Sequence, residues 1–145
     1  MPRFETTIEV AAPLEAAFRY VADFGNAAEW DPGIQMSRRV NNISGGVDTV
    51  YEVIALFRGK PVSFRYRVAE YEENRRIRLV GEGTKARSVD TIEFERAGEG
   101  TRITYAAVLT MKGIYRVAEP FLGGTFDELG TKALASLKAK LDAPA

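Results

Sequence analysis

Residues 90–113 read DTIEFERAGEGTRITYAAVLTMKG, and this stretch decides the fold. Ile92 and Phe94 alternate with Glu93 and Glu95; beyond Gly98-Glu99-Gly100, Ile103, Tyr105, Ala107, Leu109 and Met111 alternate with Thr104, Ala106 and Thr110. Two runs of period 2 joined by a glycine-rich turn describe an antiparallel hairpin with one buried face. The alternation stops at Gly113. After it Leu122, Phe126, Leu129, Ala133, Leu137 and Leu141 recur every three or four residues, with Asp127, Lys132, Lys138 and Lys140 off that stripe. That is the period of an amphipathic helix, about 25 residues and hence about 37 Å long, whose first turns Pro120 kinks or divides.

Working back from the hairpin, the same strand-turn-strand pattern extends to Ile34. Runs at 34–41, 49–57, 61–71, 76–82, 87–96 and 101–111 are punctuated by Asn41-Asn42 with Gly45-Gly46, Arg58-Gly59-Lys60, Glu73-Asn74, Gly81-Glu82-Gly83 and Gly98-Glu99-Gly100. Such short connections predict an antiparallel meander. Residues 3–10 add a seventh strand, with Phe4, Thr6, Ile8 and Val10 on one face. Between it and the meander, Pro13 precedes Leu14, Ala17, Phe18 and Val21 at helical spacing, Gly25-Asn26 breaks that helix, and a second short one follows before Pro32-Gly33. The expected fold class is therefore α+β: a seven-stranded curved antiparallel sheet wrapped around a long C-terminal helix, with two short helices between strands 1 and 2. At 145 residues, residues 1–145 are expected to form one domain around one core.

A sheet of seven twisted strands is strongly curved, and one helix seldom fills its concavity. A cavity is the expected result. Parity assigns its walls. Tyr51, Val53, Ala55 and Phe57 face in against Glu52; Phe64, Tyr66 and Val68 face in against Arg65 and Arg67; Ile77 and Leu79 against Arg76 and Arg78; and Ile92 and Phe94 belong to the inward set with Ser88 and Asp90. On strand 34–41 the inward set is Met36, Arg38 and Val40, with Arg38 reaching a pocket rim. The candidate ligand-binding residues are Trp30, Met36, Tyr51, Val53, Phe64, Tyr66, Leu79, Ile92, Tyr105, Ala107, Leu109, Leu122 and Phe126, and the candidate catalytic residue is Asp90. For each there is a plain structural alternative. Asp90 is either a pocket acid/base or a hydrogen-bonded strand residue; the tyrosines are core residues with satisfied hydroxyls or ligand donors; Trp30, the sole tryptophan, is a plug or a ligand contact at the pocket mouth. Gly123-Gly124 and Gly130 in the closing helix imply close helix–sheet approach, a ligand against bare backbone, or a flexing helix.

Composition narrows the chemistry. The chain has no cysteine and no histidine, so thiolate nucleophiles, disulfides, imidazole bases and the usual zinc ligands are excluded. No metal and no cofactor are expected, and any catalysis rests on carboxylates, hydroxyls, bound water and shape. Twenty basic residues balance twenty acidic ones. Residues 58–87 hold nine basic and four acidic side chains, read as a solvated outer face because no aromatic interleaving accompanies them; no nucleic-acid partner is expected. No signal-peptide h-region or long apolar run occurs, so a cytoplasmic protein without membrane insertion is expected, as monomer or homodimer.

The segments IEVAAPLEAAFRYVADFGNAAEWDPGI, SFRYRVAEYEENRRIRL, DTIEFERAGEGTRITY and GIYRVAEPFL together resemble the START-like or Bet v1-like (SRPBCC) superfamily with its helix-grip fold, in particular the polyketide cyclase/dehydrase-like branch. The resemblance spans essentially the whole chain. It implies a deep pocket for a small hydrophobic or aromatic molecule, in proteins that cyclise polyketides, carry lipids, quinones or other hydrophobic metabolites, or, as a lesser alternative, serve as co-chaperone-like interaction modules.

Overall fold

The computed structural model describes residues 1–144. Seven strands, β1 (Arg3–Val10), β2 (Ile34–Arg39), β3 (Val50–Phe57), β4 (Lys60–Glu72), β5 (Arg76–Glu82), β6 (Ala86–Ala97) and β7 (Gly100–Met111), form one antiparallel sheet in the order β1-β7-β6-β5-β4-β3-β2. From β2 to β7 each strand pairs with the next in sequence, as the short turns require. The β3–β4 turn places both Arg58 (φ 52°) and Gly59 (φ 78°) in the left-handed region, the backbone of a type I′ hairpin. β1 closes the far edge on β7, with Phe4 opposite Ala107 and Ile8 opposite Ile103. The first and second strands thus sit at opposite edges. The chain between them, α1 (Leu14–Ala22), a 3₁₀ turn (Phe24–Asn26) and α2 (Ala27–Trp30), crosses the concave side.

The C-terminal element departs from the expected single helix. Gly113–Phe121 is a 3₁₀ segment, and only Gly123–Asp142 forms the helix α3. Pro120 carries no N–H and disfavours α-helical backbone at the residue before it, so the chain stays in the tighter winding until the proline is passed. The C-terminal half of α3 is the anchored half. Ala133, Leu134, Leu137 and Leu141 are buried, Ala12 N donates to Leu141 O at 3.0 Å, Ala11 N to Asp142 Oδ1 at 2.8 Å, and Lys138 Nζ to the Glu9 carbonyl at 2.6 Å. At Gly130 a Cβ would stand 2.6 Å from the Phe4 ring, so close helix–sheet approach explains that glycine, while Gly123 and Gly124 have open space beside them.

Two registers correct the parity reading. A β-bulge between Ile34 and Met36 sets Ile34 opposite Ala55 but Met36 opposite Ile54. One inserted residue turns all that follows to the other face. Met36 therefore shares the outer face with Arg38, which pairs with Glu52 at 3.4 Å instead of reaching a pocket rim, and Ser37 turns inward. Ser37 Oγ donates to Gly25 O (2.9 Å) and accepts from Ala28 N (3.0 Å), tying β2 to the connection above it. Gly81, which reads as turn punctuation, lies inside β5 opposite Tyr66. A Cβ there would sit 2.6 Å from the Tyr66 ring, so the aromatic covers bare strand backbone.

The basic stretch is an outer face of ion pairs: Arg65–Glu52, Arg67–Asp48, Arg78–Glu70 and Arg87–Glu82. No helix among the described residues is long and apolar enough to cross a membrane.

Candidate functional site

Ahead of the close approach at Gly130, the first turns of α3 stand off the sheet and leave a cavity of about 550 Å³. Its wall comes from every layer of the fold. β1 gives Phe4; the crossing segment gives Phe24, Trp30 and Asp31; β3 and β4 give Val53, Ala55, Phe57, Phe64 and Tyr66; β6 and β7 give Ala86, Ser88, Asp90, Tyr105, Ala107, Leu109 and Met111; and α3 with its N-terminal flank gives Leu122, Phe126, Leu129, Gly130, Ala133 and Leu134. Lys60, Pro61 and Lys85 also line it and are exposed, so they mark its opening. Trp30, 1% exposed, is wall and not mouth.

Of the candidate residues, Trp30, Val53, Phe64, Tyr66, Asp90, Tyr105, Ala107, Leu109, Leu122 and Phe126 meet around this one space. Met36, Tyr51, Leu79 and Ile92 do not line it. The bulge turns Met36 outward. Tyr51 is taken up by Phe24, its ring 6.2 Å away beneath the crossing segment. Leu79 and Ile92 face inward as parity predicts, yet both are wholly covered in the continuous core. Alternation assigns a face, whereas exposure to a cavity depends on what packs above that face.

The polar groups in this apolar chamber converge. Asp90 sits on β6 between Leu79 of β5 and Ala107 of β7. Its Oδ1 accepts from Ser88 Oγ at 2.7 Å and its Oδ2 accepts a short hydrogen bond from the Tyr105 hydroxyl. The Tyr66 ring crosses Gly81 and brings its hydroxyl beside Ser88, the residue paired with Gly81 on β6. Burial raises the Asp90 carboxyl above its usual range, against the opposing pull of the Tyr105 and Ser88 hydrogen bonds, which favour the ionised form. Burial, with the Asp90 charge adding to it, pushes Tyr66 and Tyr105 well above the ordinary phenol range, so both remain O–H donors at any working pH.

Asp31 is the residue that the sequence reading missed. It closes α2, with its N–H on Ala27 O (2.8 Å), its carbonyl accepting from Ile34 N (3.0 Å) and its Oδ1 accepting from Gly33 N (2.8 Å). Asp-Pro-Gly was legible as a turn, and the carboxylate at its head is ordinarily spent on turn geometry. Here it does that and also faces the cavity. Its pKa is pushed up to about 6, first by burial and further by repulsion from Asp90, with the Gly33 hydrogen bond pulling the other way. Trp30 next to it has a buried Nε1–H without a hydrogen-bond partner among the described residues.

Tyr105→Phe isolates one strand of this network. Loss of the donor to Oδ2 is expected to raise the Asp90 pKa further, followed by carboxyl-selective NMR titration. It should also cost about 1–3 kcal/mol in denaturant unfolding, the range for leaving a buried polar group without its partner.

An antiparallel sheet curled around a C-terminal helix, with a chamber between them, defines the helix-grip class of START-like proteins. Within it, the polyketide cyclase/dehydrase and lipid transport family model matches residues 1–142, and the chain belongs to that family. Among solved structures it is similar to a START superfamily protein from Mycobacterium smegmatis (18% identity, 96% of each chain, TM-score 0.81). It is likewise similar to a protein from Thermus thermophilus (21% identity, 97% of each chain, TM-score 0.81). The Zhui aromatase/cyclase from Streptomyces sp. R1128 aligns at 14% identity over 96% of this chain and 92% of that one, TM-score 0.81. At these identities the likeness is one of fold. No curated protein matches by sequence.

Proposed function

We propose that the cavity binds one small, largely aromatic or polycyclic molecule bearing a hydroxyl or carbonyl oxygen, with that oxygen at the Asp31–Trp30–Tyr105–Asp90 end, and that the two carboxyls move protons on it in a cyclase- or dehydrase-like step. The observation that carries this reading is a single polar cluster in an otherwise apolar chamber of about 550 Å³, a volume suited to a small organic molecule. Each member of the cluster has a chemical use. Tyr105 keeps its single O–H on Asp90 Oδ2 and holds that carboxyl in place, while the neutral Tyr66 phenol and the unbonded Trp30 N–H are the donors left for a guest carbonyl. Asp31, titrating near pH 6, holds a proton at mildly acidic pH and accepts one above it, the range useful to a general acid or base. Family membership supports a hydrophobic guest.

Two probes test it. 2-Naphthol and naphthalene share an aromatic body and differ by one hydroxyl. Their binding is followed by quenching of Trp30, the only tryptophan. Naphthol is expected to bind about tenfold more tightly, the worth of one well-placed hydrogen bond. Ala107→Phe, which adds a ring to the cavity wall opposite Asp90, is expected to abolish both without loss of fold. Equal affinity for the two probes sinks the placement of the oxygen, and unimpaired binding to Ala107→Phe sinks the site. A carrier reading shares the cavity but not the proton transfers; native mass spectrometry showing an unaltered hydrophobic metabolite that survives purification, together with no conversion of a linear poly-β-carbonyl substrate, selects it.

A further inference from the structure

Where β7 ends, the 3₁₀ segment Gly113–Phe121 turns apolar side chains away from the protein. Ile114 is 79% exposed, Val117 78% and Phe121 75%. With three residues per turn, Ile114, Val117 and Pro120 form one ridge, and Phe121 extends it. Isolated exposed apolar residues need no explanation, but a ridge of this kind does. No residue of the segment is buried, so it gains little from the core that would offset presenting this surface to water.

The charges around the ridge indicate what covers it. Arg116 lies within the segment, Lys85 Nζ sits 5.3 Å over the Tyr115 ring, and Arg58 Nη2 donates to Phe121 O at 3.1 Å, with Lys60 on the same β3–β4 hairpin as Arg58. Among the described residues none of these four cations has an ion pair, whereas the neighbouring carboxylates are already engaged. Glu119 accepts from Met111 N at 2.8 Å and pairs with the N-terminal ammonium; Glu82 pairs with Lys112 and Arg87; Glu128 pairs with Lys132. Asp127 on the second turn of α3 is the nearby carboxylate without an ion pair among the described residues. The result is an apolar ridge ringed by four cations without ion pairs among the described residues, Arg116 acting on Glu119 only at longer range, on a chain whose formal net charge is zero.

We propose that this end of the molecule docks on an anionic lipid surface, with Ile114, Val117 and Phe121 entering the headgroup region and Arg58, Lys60, Lys85 and Arg116 meeting the lipid charges. An apolar face flanked by Lys and Arg is the pattern of interfacial binding, and neutral lipid or a protein of mixed charge would leave those cations uncompensated. The docked face adjoins the cavity opening. Met111 and Leu122, which bracket the segment in the chain, line the cavity, and Lys60 and Lys85 stand at its exposed rim. A hydrophobic guest then passes between bilayer and chamber without crossing open water, whatever its identity.

The test is co-sedimentation of the full chain with vesicles of phosphatidylcholine alone and of phosphatidylcholine mixed with phosphatidylglycerol. Partitioning is expected only onto the mixed vesicles, and raising salt to about 0.5 M should weaken it several-fold. Val117→Ser with Phe121→Ser, and separately Arg116→Glu, should each lower partitioning at least about tenfold while the circular dichroism spectrum and naphthol binding stay unchanged, since all three side chains lie in solvent. Equal or absent partitioning on the two vesicle types, or variants that bind as the parent does, overturns the proposal. So does a concentration-dependent dimer that the serine double variant dissolves, because the ridge would then be an interface between copies of this chain.

Discussion

Asp31→Asn is expected to make the protein more stable at neutral pH, by about 2–3 kcal/mol. The Asp31 pKa is about 6 in the folded chain against 3.8 for an unperturbed aspartate, and each unit of difference corresponds to about 1.4 kcal/mol. Between those two values the folded state binds the proton more tightly than the unfolded chain does, so stability falls as pH rises from about 4 to about 6, and the loss is then constant at higher pH. Asparagine carries no charge to desolvate, and its side-chain oxygen still accepts from Gly33 N. The gain over the parent should accordingly be full at pH 7.5 and absent near pH 3.5, read as the difference in urea-unfolding free energy at the two pH values. An equal difference at both would mean that asparagine stabilises through packing and that no ionised carboxylate is being held in the chamber. Stability given up for a buried charge next to a second carboxylate is the usual mark of a working site. The same variant should lose any proton transfer that Asp31 performs while retaining naphthol binding.

Trp30→Ala should cost about 3–5 kcal/mol, the range for deleting a large buried aromatic. The indole is 1% exposed and meets the Tyr105 ring edge-on at 6.2 Å, so its loss extends the existing cavity and removes the side packing that steers the Tyr105 hydroxyl to Asp90. Trp30→Phe should cost much less, about 1–2 kcal/mol. Phenylalanine fills most of the volume and leaves no buried N–H without a partner. Equilibrium unfolding of both variants separates the contributions. If phenylalanine proves as damaging as alanine, the indole N–H has an acceptor in solution, an ordered water being the simplest, and its availability to a guest falls away.

These two residues also show how far a sequence can be read. Asp90 was legible because β6 is long, regular and unbulged: once Ile92 and Phe94 are placed inward, Asp90 and Ser88 follow by alternation, and they are buried as parity requires. Tyr105, Ala107 and Leu109 follow by the same rule on β7. Met36 fails because one extra residue at Ile34/Met36 reverses every side chain beyond it, and no residue type there announces the bulge. Tyr51 and Ile92 fail for another reason, since both face inward but other side chains cover them. Asp31 has no periodic context at all. Its role arises from Asp90, far along the chain, in the same chamber.

The local rules of the chain were therefore sufficient for the architecture. Period-2 runs, glycine-rich turns and a change to period 3.6 after Gly113 specify seven antiparallel strands and a closing helix, because side-chain direction in each element follows from its own backbone dihedrals. Tertiary structure alone decided that α3 packs on the sheet from Gly130 onward and leaves space beneath its first turns, that two carboxyls share that space, and that Gly113–Phe121 turns its apolar side outward. Those features depend on how volumes fill and which distant groups become neighbours, and such quantities exist only once the whole chain has packed.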